Sequence, residues 1–267
     1  MPTLVRKTLG EYRRALIGWT VGLCAFLGMY ISIYASMMRQ DPETFAAQAI
    51  AKYPGALRDL MGGMSDIATG RGYLQAIAYQ LLGPLLFTMC AAILGNRAIA
   101  GPEEAKTLEL TLTLPIDRRR LLLERWAALA LGLLAVTLVT LALVAGASSA
   151  AHMEVPFGGI LAAHTGLFLL VLFFGTLTLC VGAAFGRKQV ALAVVGVWGV
   201  AGYIVETMGR SIDAISWLRW LSPVHYYLDG RPLYQGWPYG DYLVLLGATA
   251  VLLMTALLAF ERRDVGV

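Results

Sequence analysis

Apolar residues in this chain fall into six long, nearly uninterrupted runs, separated by shorter stretches where the charges collect. The runs extend from about Ala15 to Met37, Tyr73 to Leu94, Trp126 to Ser148, Phe157 to Phe185, Val190 to Val205 and Tyr242 to Phe260. A helix needs roughly 20 residues to cross the hydrocarbon core of a bilayer. The first four runs and the sixth meet or approach that length; the fifth is the shortest and leaves little room for tilt. Runs apolar on every side predict helices in lipid rather than amphipathic helices around a soluble core. The expected fold is an all-α integral membrane protein, a single transmembrane domain over residues 1–267 with six spans.

Composition sharpens that reading. The 267 residues are 58% hydrophobic and 14% charged, whereas a soluble domain usually carries about a quarter charged residues. Twenty-one basic against 17 acidic residues leave a net charge of +4, too modest to suggest nucleic acid. Its distribution is more informative. Fourteen Lys and Arg fall on the side holding the N-terminal segment, the connector between the second and third runs, the Arg187-Lys188 turn and the Arg262-Arg263 end; seven fall on the other. Because cytoplasmic flanks carry the excess of Lys and Arg, both termini are expected in the cytoplasm. Met1 to Arg14 is polar and basic, and the run after it is long enough to span, so no cleaved signal is expected.

Between the runs, residues 38–72 form a long outer loop in which Phe45 to Lys52 can make a short helix before Tyr53-Pro54-Gly55. A second outer stretch, from about Thr207 to Asp241, concentrates Trp217, Trp220, Tyr226, Tyr227, Tyr234, Trp237 and Tyr239. Such residues favour the headgroup region. Ile212 to Leu221 reads as a helix near the outer interface ended by Ser222-Pro223, and an ordinary aromatic belt around a loop is the other reading. Gly18-x-x-x-Gly22 and Gly182-x-x-x-Gly186 suit close helix packing. Cys24, Cys90 and Cys180 lie inside apolar runs without metal-ligand spacing, as packing residues do. His152, His164 and His225 are scattered, each a packing or interfacial residue, with no metal-spaced or Ser-His-Asp constellation.

The connector between the second and third runs, Asn96 to Arg125, carries the most specific pattern. Pro102 suits the first turn of a helix, and Glu103 and Glu104 complement its positive end. Leu108 and Leu112, with Thr111, recur at helical spacing, Pro115 ends the helix, and Asp117 can cap the next one. The triplet Arg118-Arg119-Arg120 then sits at headgroup level; taken alone, it is also what a basic cytoplasmic loop would show.

This order of acidic pair, Thr107-Leu108-Glu109-Leu110, Leu114-Pro115, capping residue and basic run resembles the signature of type 2 ABC exporter permeases. Lys106 stands where that family usually has Gly, and Asp117 where Ser is common. Further matches are Gly72-Tyr73-Leu74 and Gly83-Pro84-Leu85, Leu221-Ser222-Pro223 with Tyr226-Tyr227 and Pro232-Leu233, and the end Phe260-Glu261-Arg262-Arg263-Asp264. Together they cover most of residues 50–267.

The resemblance implies a membrane-spanning permease that pairs with a second copy or a paralogue. Each permease would rest on a cytoplasmic ABC ATPase subunit, two copies per transporter, which holds ATP and Mg. The connector would be the coupling helix, with Glu103, Glu104, Thr107, Glu109, Pro115 and Arg118 to Arg120 as contact and support, and Arg187 and Lys188 as a smaller second contact. Trp217, Trp220, Ser222, Pro223 and Tyr226 would belong to an outer, interfacial or reentrant gate. This chain has no Gly-x-x-x-x-Gly-Lys-Ser/Thr loop, so it is not expected to be an enzyme or to hold a cofactor or metal. The alternative is an ATP-independent secondary transporter or channel. Such proteins place ionisable residues at mid-membrane, but here the span centres lack them and Glu206 lies near an outer end. Neutral, partly aromatic spans suit an amphipathic or lipophilic cargo such as a drug, lipid or peptide. The preference for Arg over Lys and the wealth of Ala, Gly and Leu suggest a bacterial inner (plasma) membrane.

Overall fold

The computed structural model describes residues 2–38, 66–108, 117–210 and 212–263, which are helices joined by turns and short irregular links. Among them, six helices are long and apolar enough to cross a membrane, one for each run. Helix α1 (Pro2–Met38) has 37 residues, about 55 Å at 1.5 Å per residue, well beyond the ~30 Å hydrocarbon core. The basic segment before Ala15 is thus part of the same helix. No proline interrupts residues 3–14, and Thr8 and Tyr12 bury their side chains there.

The second span departs from the single helix its run predicts. It begins as α2 (Gly70–Leu74), capped by Thr69, continues as a π-helical turn over Gln75–Gln80, breaks at Leu81 and resumes as α3 (Leu82–Ala98). Gly83-Pro84 supplies the cause. Pro84 has no N–H for the carbonyl of Gln80, and its ring crowds that carbonyl; a Cβ on Gly83 would run into the carbonyl of Ala78.

The connector also differs from expectation. Helix α4 (Ala100–Glu104) is a little over one turn, and helix resumes at Thr107 and Leu108 after a break. The chain turns at Ala105 and Lys106, where φ of Lys106 is 55°. That left-handed conformation is the one glycine adopts without penalty, at the position where the resembling family usually has Gly. Residues 109–116, including Glu109, Thr111, Leu112 and Pro115, lie outside the described residues, as do Phe45 to Lys52 and Tyr53-Pro54-Gly55.

Helix α5 (Arg118–Ala150) starts on the expected cap, with the amide of Arg119 donating to Asp117 Oδ1 at 3.3 Å. Helix α6 (Phe157–Phe185) closes at Gly186, whose φ of 65° makes the left-handed turn that commonly ends helices. Helix α7 (Lys188–Met208) starts earlier and ends later than its run, and its 21 residues suffice for a full crossing. A 3-10 helix (Asp213–Leu221) then forms over the segment expected to be helical. It is followed by α8 (Pro223–Leu228), α9 (Pro232–Gln235) and the last span, α10 (Tyr239–Arg262).

Helix α6 is the centre of the bundle, packed against α10, α3, α7 and α5, while α1 lies on α5. Of the most apolar stretch of each helix, 83% is buried in α6 but only 17% in α1 and 22% in α7 and α10. Val21, Val197 and Leu243 therefore point outward, as suits lipid rather than water. Small residues set the closest approach: a Cβ on Gly95 of α3 would meet the carbonyl of Gly175 of α6 at 2.5 Å. Buried hydroxyls are satisfied within their own helices; Thr137, Thr140, Thr176, Thr178 and Thr249 donate to carbonyls three or four residues back. Cys90 and Cys180 are buried, Cys24 half-buried, and all are free thiols. His164 is buried with Nδ1 2.8 Å from the Tyr79 hydroxyl.

The start of α1, the connector, the α6–α7 turn and the end of α10 converge at one end of the bundle, the terminal end. The start of α2, the α5–α6 turn and the segment from Asp213 to Pro238 gather at the other, the far end.

Candidate functional site

At the terminal end, short helix α4 is held by its two acidic residues in different directions. Glu103 pairs with Arg263, just past the end of α10. Glu104 Oε1 accepts the amide of Lys188 at 2.7 Å, which satisfies one of the free N–H groups at the start of α7. Arg263 reaches further. Its Nη1 donates to the carbonyl of Ala183 at 3.1 Å, at the end of α6, and its own carbonyl accepts from Arg118 Nη1 at 2.7 Å. A cation beside the last carbonyls of α6 also meets the negative end of that helix. Beside it, Arg119 grips Glu261 through one guanidinium edge, Nε to Oε1 and Nη2 to Oε2 at 2.7 Å. Arg125 donates to the carbonyl of Ala98, closing α3, and Thr107 Oγ1 donates to the carbonyl of Pro102 at 3.1 Å. Arg120 pairs with Glu124 one turn on at 2.9 Å. Arg187 and Lys188 keep their side chains exposed.

At the far end, Glu206 in the last turn of α7 is completely buried. Its carboxylate accepts from Arg210 at 2.6 and 2.9 Å and from Arg219 at 3.1 and 3.2 Å, and His225 Nδ1 lies 2.8 Å away. Asp229 Oδ1 completes the cluster at 3.1 Å from Arg219. Hydrogen bonding to Glu206 raises the Arg219 pKa and keeps its guanidinium charged. Ligand atoms of Glu206, His225 and Asp229 lie within 4.8 Å of one another, a constellation the scattered histidines did not suggest. The space among them is occupied: Arg219 Nη2 stands 3.1 to 3.3 Å from all three. The guanidinium is the cation of this cluster, so it reads as an ion-pair network rather than a metal centre.

Ser222 and Pro223 are buried beside it, Ser222 Oγ donating to the carbonyl of Gly202 at 3.0 Å and capping α8 through the amide of Val224. Tyr226 donates to the carbonyl of Trp220 at 2.9 Å, while Trp217 and Trp220 are 62% and 66% exposed.

Between the two ends, α3, α6 and α7 enclose an apolar groove of about 400 Å³. Leu85, Met89 and Ile93 form one wall, Leu192, Gly196, Gly199 and Tyr203 the other, and Leu170 and Phe174 the floor. Positions 81 to 93 of one wall and 192 to 204 of the other each span about 18 Å at 1.5 Å per residue.

A family model described as ABC-2 family transporter protein matches residues 3–265, nearly the whole chain. The chain belongs to the ABC-2 transporter family. A comparison with the curated proteins finds none similar to it. As an ABC-2 family member with six helices able to span, it is a multi-pass membrane protein of the ABC permease type, and the family implies an ATPase partner in general.

In this ABC-2 protein the residues singled out in the connector and at Arg187-Lys188 gather at one end, and those from Trp217 to Tyr226 at the other. Glu103, Glu104, Thr107, Arg118, Arg119, Arg120, Arg187 and Lys188 share the terminal end; Trp217, Trp220, Ser222, Pro223 and Tyr226 share the far end; Glu109 and Pro115 fall outside the described residues. Sequence reasoning missed Arg263 and Glu261 as partners of the connector, and the whole Glu206 cluster. The one local signal was Glu206 and Arg210 four residues apart on a helix. Arg219, His225 and Asp229 join through folding of the 3-10 helix and α8.

Proposed function

We propose that this chain is the permease subunit of an ATP-driven exporter, with its terminal end in the cytoplasm and seated on a separate ABC ATPase. The observation that carries this reading is the joining of α4 to the α6–α7 turn by Glu104 and Lys188. Two separate connections between spans thereby form one rigid platform, at the end where Lys and Arg are concentrated. Because Glu103, Glu104 and Arg118 are engaged within the platform, they support it. The exposed Lys106, Thr107, Arg187 and Lys188 form the surface that meets the partner. ATP and Mg are held and hydrolysed in that partner, two copies per transporter, with a second copy or paralogue of this permease completing the membrane part in a bacterial plasma membrane.

The groove between α3 and α7 supports an amphipathic or lipophilic cargo. It is long and apolar, and its walls are α3 and α7, spans that both run directly into the platform. Pockets of roughly 300–1,000 Å³ accommodate drug-sized ligands, and this one falls at the lower end of that range. The far-end segment, with Trp217 and Trp220 exposed above a buried ionic anchor, serves as the outer gate. A gradient-driven carrier is disfavoured because Glu206, the buried acid of the spans, is already paired with two arginines.

The decisive experiment is purification in nanodiscs from cells co-expressing the neighbouring genes, with and without Glu103→Ala/Glu104→Ala. A co-purifying ATPase whose turnover falls in the double variant is expected. Reconstituted permease that moves a lipophilic dye without ATP, with no ATPase bound, would replace this reading with a carrier.

A further inference from the structure

We propose that Glu261 and Arg263, at the end of the last span, are positioning residues that make the connector move as one body with α5, α6 and α10. The inference rests on the permease reading above and names the residues through which the platform pulls on the membrane helices.

Helix α4 follows α3 directly, so any push on the platform reaches the second span through the backbone. Glu104 extends the push to α7. These routes already meet α6, where Ala100 of α4 packs on Gly182, and α5, where Arg125 holds the Ala98 carbonyl; the last span, α10, is reached at this end through Arg263. Arg263 ties the end of the last span into this group, because one residue contacts Glu103 of α4, the Ala183 carbonyl of α6 and, through its own carbonyl, Arg118 of α5. The two adjacent acids of the connector thus divide the work, Glu104 holding the start of α7 and Glu103, through Arg263, the end of α10.

The site around Arg263 is shaped for it. Glu103 and Arg263 are largely shielded, their side chains 17% and 23% exposed. Gly186 gives way beneath them: a Cβ there would collide with both the guanidinium of Arg263 and the carboxylate of Glu103. A guanidinium presents its donors in a fixed planar fork, so it can face a carboxylate and a carbonyl at once, which the point charge of Lys does less well. A second, more exposed grip lies alongside, where Arg119 at the start of α5 holds Glu261 by two bonds. α10 is joined to the centre of the bundle by close packing on α6. A displacement entering at Arg263 therefore reaches the far-end segment, which connects to α10 at Tyr239.

The test uses the full permease with its co-purified ATPase in nanodiscs, carrying Tyr239→Cys as a reporter at the far end of α10, where the native side chain is 68% exposed. The reading is the change in maleimide labelling rate between nucleotide-free and ADP-vanadate-trapped states. For Arg263→Ala, the ATPase is expected to stay bound while the labelling change shrinks about fivefold or more, with Arg263→Lys intermediate. A full labelling change in Arg263→Ala overturns the proposal. If that variant fails to insert or to bind the ATPase, the exposed pair decides. Arg119→Glu should reduce the labelling change and Arg119→Glu/Glu261→Arg should restore it; no reduction, or no restoration, overturns the proposal.

Failure of the permease reading looks different, because then the unmodified protein itself binds no ATPase and shows no nucleotide-dependent labelling, and the coupling role falls with it. The clamp is still read on the permease alone. Hydrogen exchange at the amides of residues 100–104 should quicken in Arg263→Ala, and unchanged exchange overturns the clamp as well.

Discussion

The two ends of this bundle both carry ionic networks, but they are built on opposite principles. At the far end one acid, Glu206, is wholly buried and receives two arginines and a histidine. At the terminal end the charges form separate pairs, several partly exposed, spread over the connector, α5, α6, α7 and α10. A buried network is costly to open, since each charge released from its partners faces a low dielectric. Each partly exposed pair contributes little by itself, so the hold of the terminal end is shared among several. The far end is thus a lock that fastens the 3-10 helix and α8 onto the end of α7. The terminal end is instead held by several smaller links, each weak alone and together joining the connector to the spans.

Arg219→Ala should be the most damaging single change. It leaves buried Glu206 with only part of its donors, and about 3 kcal/mol of stability should be lost, as for other broken buried pairs. Denaturation midpoints in detergent would show it, and adding Glu206→Leu should recover part of the loss. A double variant no better than Arg219→Ala would mean that the cluster is not a buried charge lock. Gly186→Ala comes next. A side chain at φ 65° costs of order 1–3 kcal/mol where the conformation is enforced. Here it would also displace Arg263, so the same variant should accelerate hydrogen exchange in residues 100–104; exchange left unaltered would uncouple Gly186 from the connector.

A smaller effect of opposite sign is expected for Lys106→Gly. Relief of a left-handed lysine should raise the midpoint by up to about 1 kcal/mol, and a lowered midpoint would show that the Lys106 side chain stabilises the turn. Arg119→Ala should leave the midpoint unchanged, because its pair with Glu261 is exposed. A clear drop would place the terminal end in the same class as the far end and remove the contrast between them.

The membrane architecture was legible in the apolar runs because a bilayer imposes a length and a composition that few other settings demand. The match was closest for α6, where run and helix coincide at Phe157 and Phe185. It was poorest where polar residues continue a helix, as in the first turns of α1, or where a run hides a break, as at Leu81. In the second case Gly83-Pro84 stood in the open, but hydropathy does not register a π-helical turn. The connector residues were recognisable by their order. Their partners were not, since Arg263 lies 160 positions from Glu103 and Glu261 lies 142 from Arg119.

Span number, the family signature and the chemistry of the connector are properties of local strings, and a linear reading of hydropathy and charge reaches them. Which acid meets which arginine depends on how the helices return to the same end of the bundle. That return is set by the close packing of small residues, Gly95 on α6 and Gly186 beneath Arg263, and by the turns between spans. Glu206 shows the difference most clearly. In the sequence it is a lone acid near the end of a span; in the folded protein it is the most enclosed charge of the far end, because the chain after α7 folds back and brings Arg219 and His225 to it.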